Sequence, residues 1–372
     1  MPQEEHRFPC ESCGADLRFA PGQTELVCPY CGHVQGIPQA DTPSRRSALT
    51  EYDLRSGLAN DLPQSQMVEV RTAHCPSCGA VVTFDGATHA ADCPFCATPV
   101  VIDTGTSRLI KPQALIPFRL SETEARAEMV KWLGRLWFAP NGLVEYTRRG
   151  RALAGMYVPF WTFDADTASR YRGQRGVAYY DTEWVTVNVN GRAERRQVQV
   201  RKIRWYPVSG QVARRFDDVL VMASTSLPKR LGDELTPWDL GALVPYRPDY
   251  LAGFRAEGYA VALRDGHAEA RARMEQIIRL DVARDIGGDE QRIEAVETRH
   301  SAETFKHILL PIWSAAYKYN GKSYRFLVNA QTGEVQGERP YSVWKIMLAV
   351  LAAAIVVGVV VYLREIGVIQ IQ

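Results

Sequence analysis

All eight cysteines of the chain fall in two 22-residue windows, CESCGADLRFAPGQTELVCPYC at 10–31 and CPSCGAVVTFDGATHAADCPFC at 75–96. Each window reads Cys-x2-Cys, 14 residues, Cys-x2-Cys, and at a constant offset of 65 the two share nine identical positions. Two thiolates separated by two residues can hold one metal ion from a tight turn, with backbone N–H groups left to hydrogen-bond the sulfurs. A second pair returned by a short hairpin completes a tetrahedron. The candidate ligands are therefore Cys10, Cys13, Cys28 and Cys31 for one ion, and Cys75, Cys78, Cys93 and Cys96 for another. Glycine follows three of the four pairs, at Gly14, Gly32 and Gly79, where the chain must leave the turn at positive φ; Ala97 follows the fourth.

Zinc suits four thiolates at this spacing, one ion per module. Iron in a rubredoxin-like site takes the same ligands and is the alternative. Ligation across the modules, Cys10 and Cys13 with Cys93 and Cys96, closes a longer loop and is disfavoured. A thioredoxin-type redox pair is disfavoured too, because no βαβ pattern surrounds these cysteines. So short a ribbon buries little surface, and the metal must supply its folding energy.

The elements that position these cysteines follow from composition and periodicity. We expect a first zinc ribbon over 5–37, a polar linker over 38–70, a second ribbon over 71–105 and an α+β body over 109–340. In the body, Ser121 and Glu124 stand at capping-box spacing and open an amphipathic helix that Pro140-Asn141-Gly142 stops. From 156 to 224, β-branched and aromatic residues interrupted by turns such as Asn190-Gly191 predict several antiparallel strands. Residues 265–286 return to helical spacing and end at Gly287-Gly288, and a hairpin is expected at Asn320-Gly321. The fold class is thus α+β, with two small N-terminal ribbons, a mixed antiparallel-sheet and helix body, and one C-terminal apolar helix.

That last helix leaves the soluble class. Residues 346–363, IMLAVLAAAIVVGVVVYL, carry no charge, with Trp344 and Tyr362 where interfacial aromatics belong. They are expected to form one membrane span. The flanking charges barely differ, so the orientation rests on other grounds: MPQEEHRFPC lacks a secretory signal pattern, and reduced thiols favour a cytosolic body at the inner membrane. Ala354 and Gly358 have the small-xxx-small spacing that supports helix pairing and a homo-oligomer.

Charge separates the candidate partners. Residues 1–110 hold seven arginines and no lysine against thirteen acids, a poor match to nucleic acid and a better one to a protein contact. Residues 145–215 hold 14 basic and six acidic residues, including the stretch 192–215; they are expected to form a solvated sheet face or to meet anionic lipid headgroups. No catalytic residue is assigned. NGKS at 320–323 has Ala316 where a phosphate loop needs Gly; GGDE at 287–290 reads as a helix stop; DADT at 164–167 lacks the partners of a phosphatase loop. The seven histidines fall in no ligand spacing.

With the tandem modules, the blocks ALIPF (114–118), KWLGRLWFAP (131–140), MYVPFWTFDA (156–165), DIGGD (285–289), TFKHILLPIW (304–313) and NAQTGEVQGERPYS (329–342) resemble a bacterial family of membrane-anchored tandem zinc-ribbon proteins. Its members are YdjG-like, or labelled TFIIB-type zinc-ribbon or primosomal-helicase-like. The resemblance implies a non-enzymatic membrane component that works with SPFH-domain and PspA-like envelope-stress proteins. The expectation is a membrane-anchored zinc-binding adaptor; the alternative is a nucleic-acid-associated ribbon protein held at the membrane. The helicase label finds no ATPase motif here.

Overall fold

The computed structural model describes residues 8–38, 49–77, 79, 81–84, 90–92, 98–101, 106–136, 153–189, 192–319, 322–338 and 342–365. It is a mixed α+β structure with five α-helices among those residues. Strands β1 (Arg18–Phe19), β2 (Glu25–Val27) and β3 (Val34–Gly36) form a small antiparallel sheet that carries the first cysteine module. Within the expected linker, β4 (Tyr52–Asp53) and helix α1 (Leu54–Leu58) join the body: β4 pairs with Thr304 and Phe305, and Leu54 and Leu62 are buried. Burial of those two leucines is what a polar composition concealed.

The second module begins with β5 (Met67–His74), β6 (Val81–Phe84), β7 (Ala90–Asp92), β8 (Pro99–Val101) and β9 (Thr106–Ile110). β6, β5 and β9 make one sheet, and β7 pairs with β8. Next come β10 (Ala114–Leu115) and helix α2 (Glu122–Gly134). The capping box expected at its start is present: Glu124 N–H donates to Ser121 Oγ at 3.3 Å, and Ser121 N–H donates to Glu124 Oε2 at 2.8 Å. Ala125, Met129 and Leu133 form its buried face. Trp137 and the expected Pro140-Asn141-Gly142 stop lie outside the described residues.

The strands expected from 156 to 224 are two very long ones, β11 (Ala154–Val189) and β12 (Arg192–Met222), paired antiparallel along their length. The Asn190-Gly191 turn between them lies outside the described residues. Interior turn-like residues are absorbed in two ways: Gly173 and Gly176 sit within the strand, and bulges at Phe163/Ala165 and Arg172/Gly173 adjust the register. Helix α3 (Lys229–Glu234), β13 (Val244–Pro245) and β14 (Arg255–Ala256) lead to helix α4 (Leu263–Ile286). β15 (Glu290–Tyr319) then pairs with β11, and β16 (Lys322–Asn329) and β17 (Val335–Gly337) complete the sheet.

One stripe of α4 is buried: Leu263, Gly266, Ala270, Met274, Ile278, Val282 and Ile286. Spacings of three and four keep them on one helix face, which covers one side of the β12–β11–β15 sheet. Gly266 is required there, since a Cβ would lie 2.7 Å from Trp161 Cδ1. Trp161 is fully buried, and its indole N–H donates to Val261 O at 2.9 Å. Met156, Val158 and Phe160 point to the other side and pack with Met222, Leu231 and Ile308. Helix α5 (Val343–Glu365) contains the span Trp344–Leu363, long and apolar enough to cross a membrane and with none of its apolar window buried.

Candidate metal centre

The backbone prepares the first module before any metal is considered. Gly14 N–H donates to Cys10 O at 2.8 Å and Gly32 N–H to Cys28 O at 3.0 Å, closing each Cys-x2-Cys segment into the same turn. Gly14 and Gly32 have φ of 74° and 73°, the left-handed region that glycine enters without strain. The β1–β2–β3 sheet brings the two turns face to face. The four Sγ atoms lie within 4.8 Å of one another, with Cys10–Cys31 and Cys13–Cys28 at 3.5 Å. A tetrahedral ion with metal–sulfur bonds of about 2.3 Å needs sulfurs about 3.8 Å apart, so the cluster is the right size to hold one metal ion. A disulfide needs about 2.05 Å, and these thiols are free.

The thiols titrate unequally. N–H groups of Cys31 and Tyr30 aim at Cys28 and bring it down to about 6. At Cys31 the His33 N–H pulls downward, but the neighbouring Cys10 and Cys13 thiols prevail and push it up to about 12. Four sulfurs this close cannot all ionise without a cation among them. The first cysteine of each pair, Cys10 and Cys28, is buried, and the second, Cys13 and Cys31, is exposed.

The second module repeats the visible half of this design. Gly79 N–H donates to Cys75 O at 2.9 Å, Gly79 has φ 73°, and Cys75 is buried like its counterpart Cys10. Cys78, Cys93 and Cys96 lie outside the described residues, as does Ala97.

Both modules touch the body along residues 250–258, and each has further contacts elsewhere on it. Phe19 N–H donates to Ala252 O at 2.9 Å, and its ring meets Tyr250 edge-on at 5.3 Å. Gly79 O accepts from Thr225 Oγ1 at 2.8 Å, and Val81 bridges to Gly258. Beside that contact Glu257 is buried, accepting from Ser224 and Ser226 hydroxyls at 2.9 and 2.8 Å. Burial pushes its carboxyl up to about 7.

A second cluster of ligand-type side chains had no sequence signal. Glu51, Asp164 and Asp218 bring carboxylate oxygens within 4.8 Å of one another at the β11 bulge. Lys306 reaches between them, its Nζ 2.8 Å from Glu51 Oε1 and 2.7 Å from Asp218 Oδ1, with its side chain 8% exposed. Asp218 N–H donates to Asp164 Oδ1 at 2.7 Å. Burial, reinforced by Glu51, raises Asp164 to about 7; Glu51, despite its own burial, is held at about 2 by hydrogen bonds from Asp164 and Lys306. The Lys306 ammonium thus lies against two of the three carboxylates, Glu51 and Asp218. Asp164 belongs to the DADT stretch, but its partners are separated from it by 54 residues or more, so no linear pattern could have found the group.

No protein-family model matches the chain, and no solved structure matches it. A curated protein of Bacillus subtilis (strain 168), "Uncharacterized protein YdjG", is 24% identical over 347 residues, covering 91% of each chain.

Proposed function

We propose that this chain is a membrane-anchored zinc-binding adaptor that recruits partner proteins to the membrane. The observation that carries the reading is the closed four-sulfur cluster of Cys10, Cys13, Cys28 and Cys31. Four thiolates fill a tetrahedral ion, leaving no position for a substrate or water, which suits a structural metal rather than a catalytic one. Zinc is the metal we assign, with a second ion at Cys75, Cys78, Cys93 and Cys96, and iron as the alternative. The first module presents Tyr30, 82% exposed, between its ligands, on the acidic N-terminal stretch 1–110 suited to protein contact.

Anchoring falls to the span Trp344–Leu363, with the cysteine modules in the reducing cytosol at the inner membrane. SPFH-domain and PspA-like proteins are the partners that the family resemblance puts first, in an envelope-stress system. The test is a pull-down from detergent with mass spectrometry, comparing the native chain with Cys10→Ser/Cys28→Ser and Cys75→Ser/Cys93→Ser variants. A specific protein captured by the native chain and lost from either variant supports the adaptor. Retention of nucleic acid that falls steeply with salt replaces it with the nucleic-acid reading. Metal analysis of the purified chain separates zinc from iron.

A further inference from the structure

The two faces of the long sheet are treated differently. Beyond the β11 bulge, Ala165, Thr167, Ser169 and Tyr171 are buried under α4, while Asp166, Ala168, Arg170 and Arg172 alternate with them into solvent. On the solvent side β12 contributes Ser209, Gln211, Ala213 and Arg215, and β15 contributes Ala295, Glu297, Arg299 and Ser301. After Gly176 pairs with Glu290, β15 has no further partner on β11, and β11 and β12 continue as a two-stranded arm. The same face runs on along it with Tyr180 and Trp184, 68% and 58% exposed, beside Arg201 and Arg195.

Its charges are not those of the other face. Under α4, Arg214 is bound by Asp281; further out on that side, Lys202 bridges Asp181 and Glu183. On the open face Arg201 pairs with Glu290 at 3.1 Å, while Arg170, Arg172, Arg215 and Arg299 have no acidic partner within 4 Å among the described residues. The sheet there is hollow: adjoining depressions of about 520 and 370 Å³ share Arg170, Gln211 and Glu297 and are floored by small residues such as Ala168, Ser209 and Ala213. From Asp166 to Thr186 the open face holds seven arginines (170, 172, 195, 201, 215, 292, 299), no lysine, and four acids (166, 290, 294, 297), a net of +3.

We propose that this hollow, arginine-lined face is a docking site for an acidic, extended polypeptide segment of a partner protein. It deepens the adaptor reading by placing a partner contact on the body, away from the cysteines. Guanidinium groups bind carboxylates as a fork, and Arg, Trp and Tyr together are the residues that dominate protein interfaces. The interspersed acids decide against the other anionic surfaces. A nucleic-acid backbone or a lipid layer presents only negative charge and meets Glu297 and Asp166 unfavourably, whereas a polypeptide can set a lysine or arginine opposite each. Twist argues the same way, since a two-stranded ribbon coils strongly and a planar bilayer cannot follow one face of it. The basic stretch 192–215 is itself divided by strand alternation, with Arg195, Arg201 and Arg215 on this face and Arg196, Lys202, Arg204 and Arg214 on the other.

The test uses the full-length chain in detergent with a fluorescein-labelled, net-acidic peptide in which a lysine follows every third glutamate, followed by anisotropy at fixed salt. Arg170→Ala/Arg172→Ala/Arg299→Ala is compared with Arg230→Ala/Arg264→Ala/Arg279→Ala, which removes equal charge from other surfaces. The expected result is roughly a tenfold or greater loss of peptide affinity in the first variant and little change in the second. Equal losses in both, or no binding by the native chain, overturn the proposal. So does selective loss, in the first variant, of binding to phosphatidylglycerol vesicles or oligothymidylate without loss of the peptide. Cys75→Ser/Cys93→Ser is run alongside: unchanged peptide affinity there separates this face from the cysteine modules, so failure of one reading leaves the other measurable.

Discussion

Two places among the described residues crowd anionic ligand-type side chains within 4.8 Å, and they resolve the repulsion in opposite ways. At Cys10, Cys13, Cys28 and Cys31 the protein supplies sulfurs only, in a cluster that could hold a metal ion as the counter-charge. At Glu51, Asp164 and Asp218 the chain supplies its own cation, the Lys306 ammonium, and burial beside Glu51 pushes the Asp164 carboxyl up. The first cluster sits in a small module whose buried Leu17, Phe19, Leu26 and Ile37 share a core with the body; the second lies on the large sheet. The difference teaches that ligand-type residues in proximity do not by themselves announce a metal. What matters is whether a counter-charge is already built in. Glu257 is a third case, a buried carboxyl that accepts from two serine hydroxyls and is pushed by burial toward its protonated form.

The largest expected effect breaks the first member of the comparison. Stripping the metal with a strong chelator, or Cys10→Ser/Cys28→Ser, removes a binding energy of about 10 kcal/mol or more that is folding energy for this module. Hydrogen exchange is expected to lose protection across residues 8–37 while the β11–β15 pairing around Asp164 keeps it. Equal loss at both places would mean that the carboxylate cluster also depends on a metal.

Lys306→Met attacks the second member. Three carboxylates would then share a partly buried site without a cation, at a cost of about 3 kcal/mol, read as a lower urea midpoint. Calcium or magnesium should recover part of that loss in the variant and leave the native chain unchanged, because only the variant has room and charge for an ion. Stabilisation of the native chain by either ion would show that Lys306 does not fill the site.

Glu257→Gln sharpens the third case through pH. A carboxyl raised to about 7 in the folded state, from about 4.5, favours folding while protonated and loses that contribution as pH rises from 4.5 through 7. The amide cannot ionise. The variant should therefore be more stable than the native chain at pH 8, by about 2 kcal/mol, and no more stable near pH 4. A thermal midpoint difference that is the same at both pH values would contradict this. The smallest effect is at an exposed carboxylate, Glu124, that accepts from the hydroxyl and the backbone N–H of Ser121. Ser121→Ala removes the capping box of α2 and should lower stability by about 1 kcal/mol without altering metal content.

What could be read from the sequence was local in every instance. A Cys-x2-Cys turn closed by glycine is settled within five residues, the capping box within four, and an apolar helix within its own length. Those signals placed the first four-sulfur cluster, the start of α2 and the membrane-length helix correctly, because each is stabilised by contacts between near neighbours. Only the tertiary structure joined Glu51 to Lys306 across 255 residues, buried Leu54 and Leu62 inside a stretch of polar composition, and merged the expected strands into the single pair β11 and β12. The same alternation dealt a linear run of arginines onto two faces of one sheet, with different partners on each. Charge in a sequence is ordered along the chain, while burial and pairing are ordered in space. Where the two orders coincide the sequence is enough, and where a sheet brings distant strands together it is not.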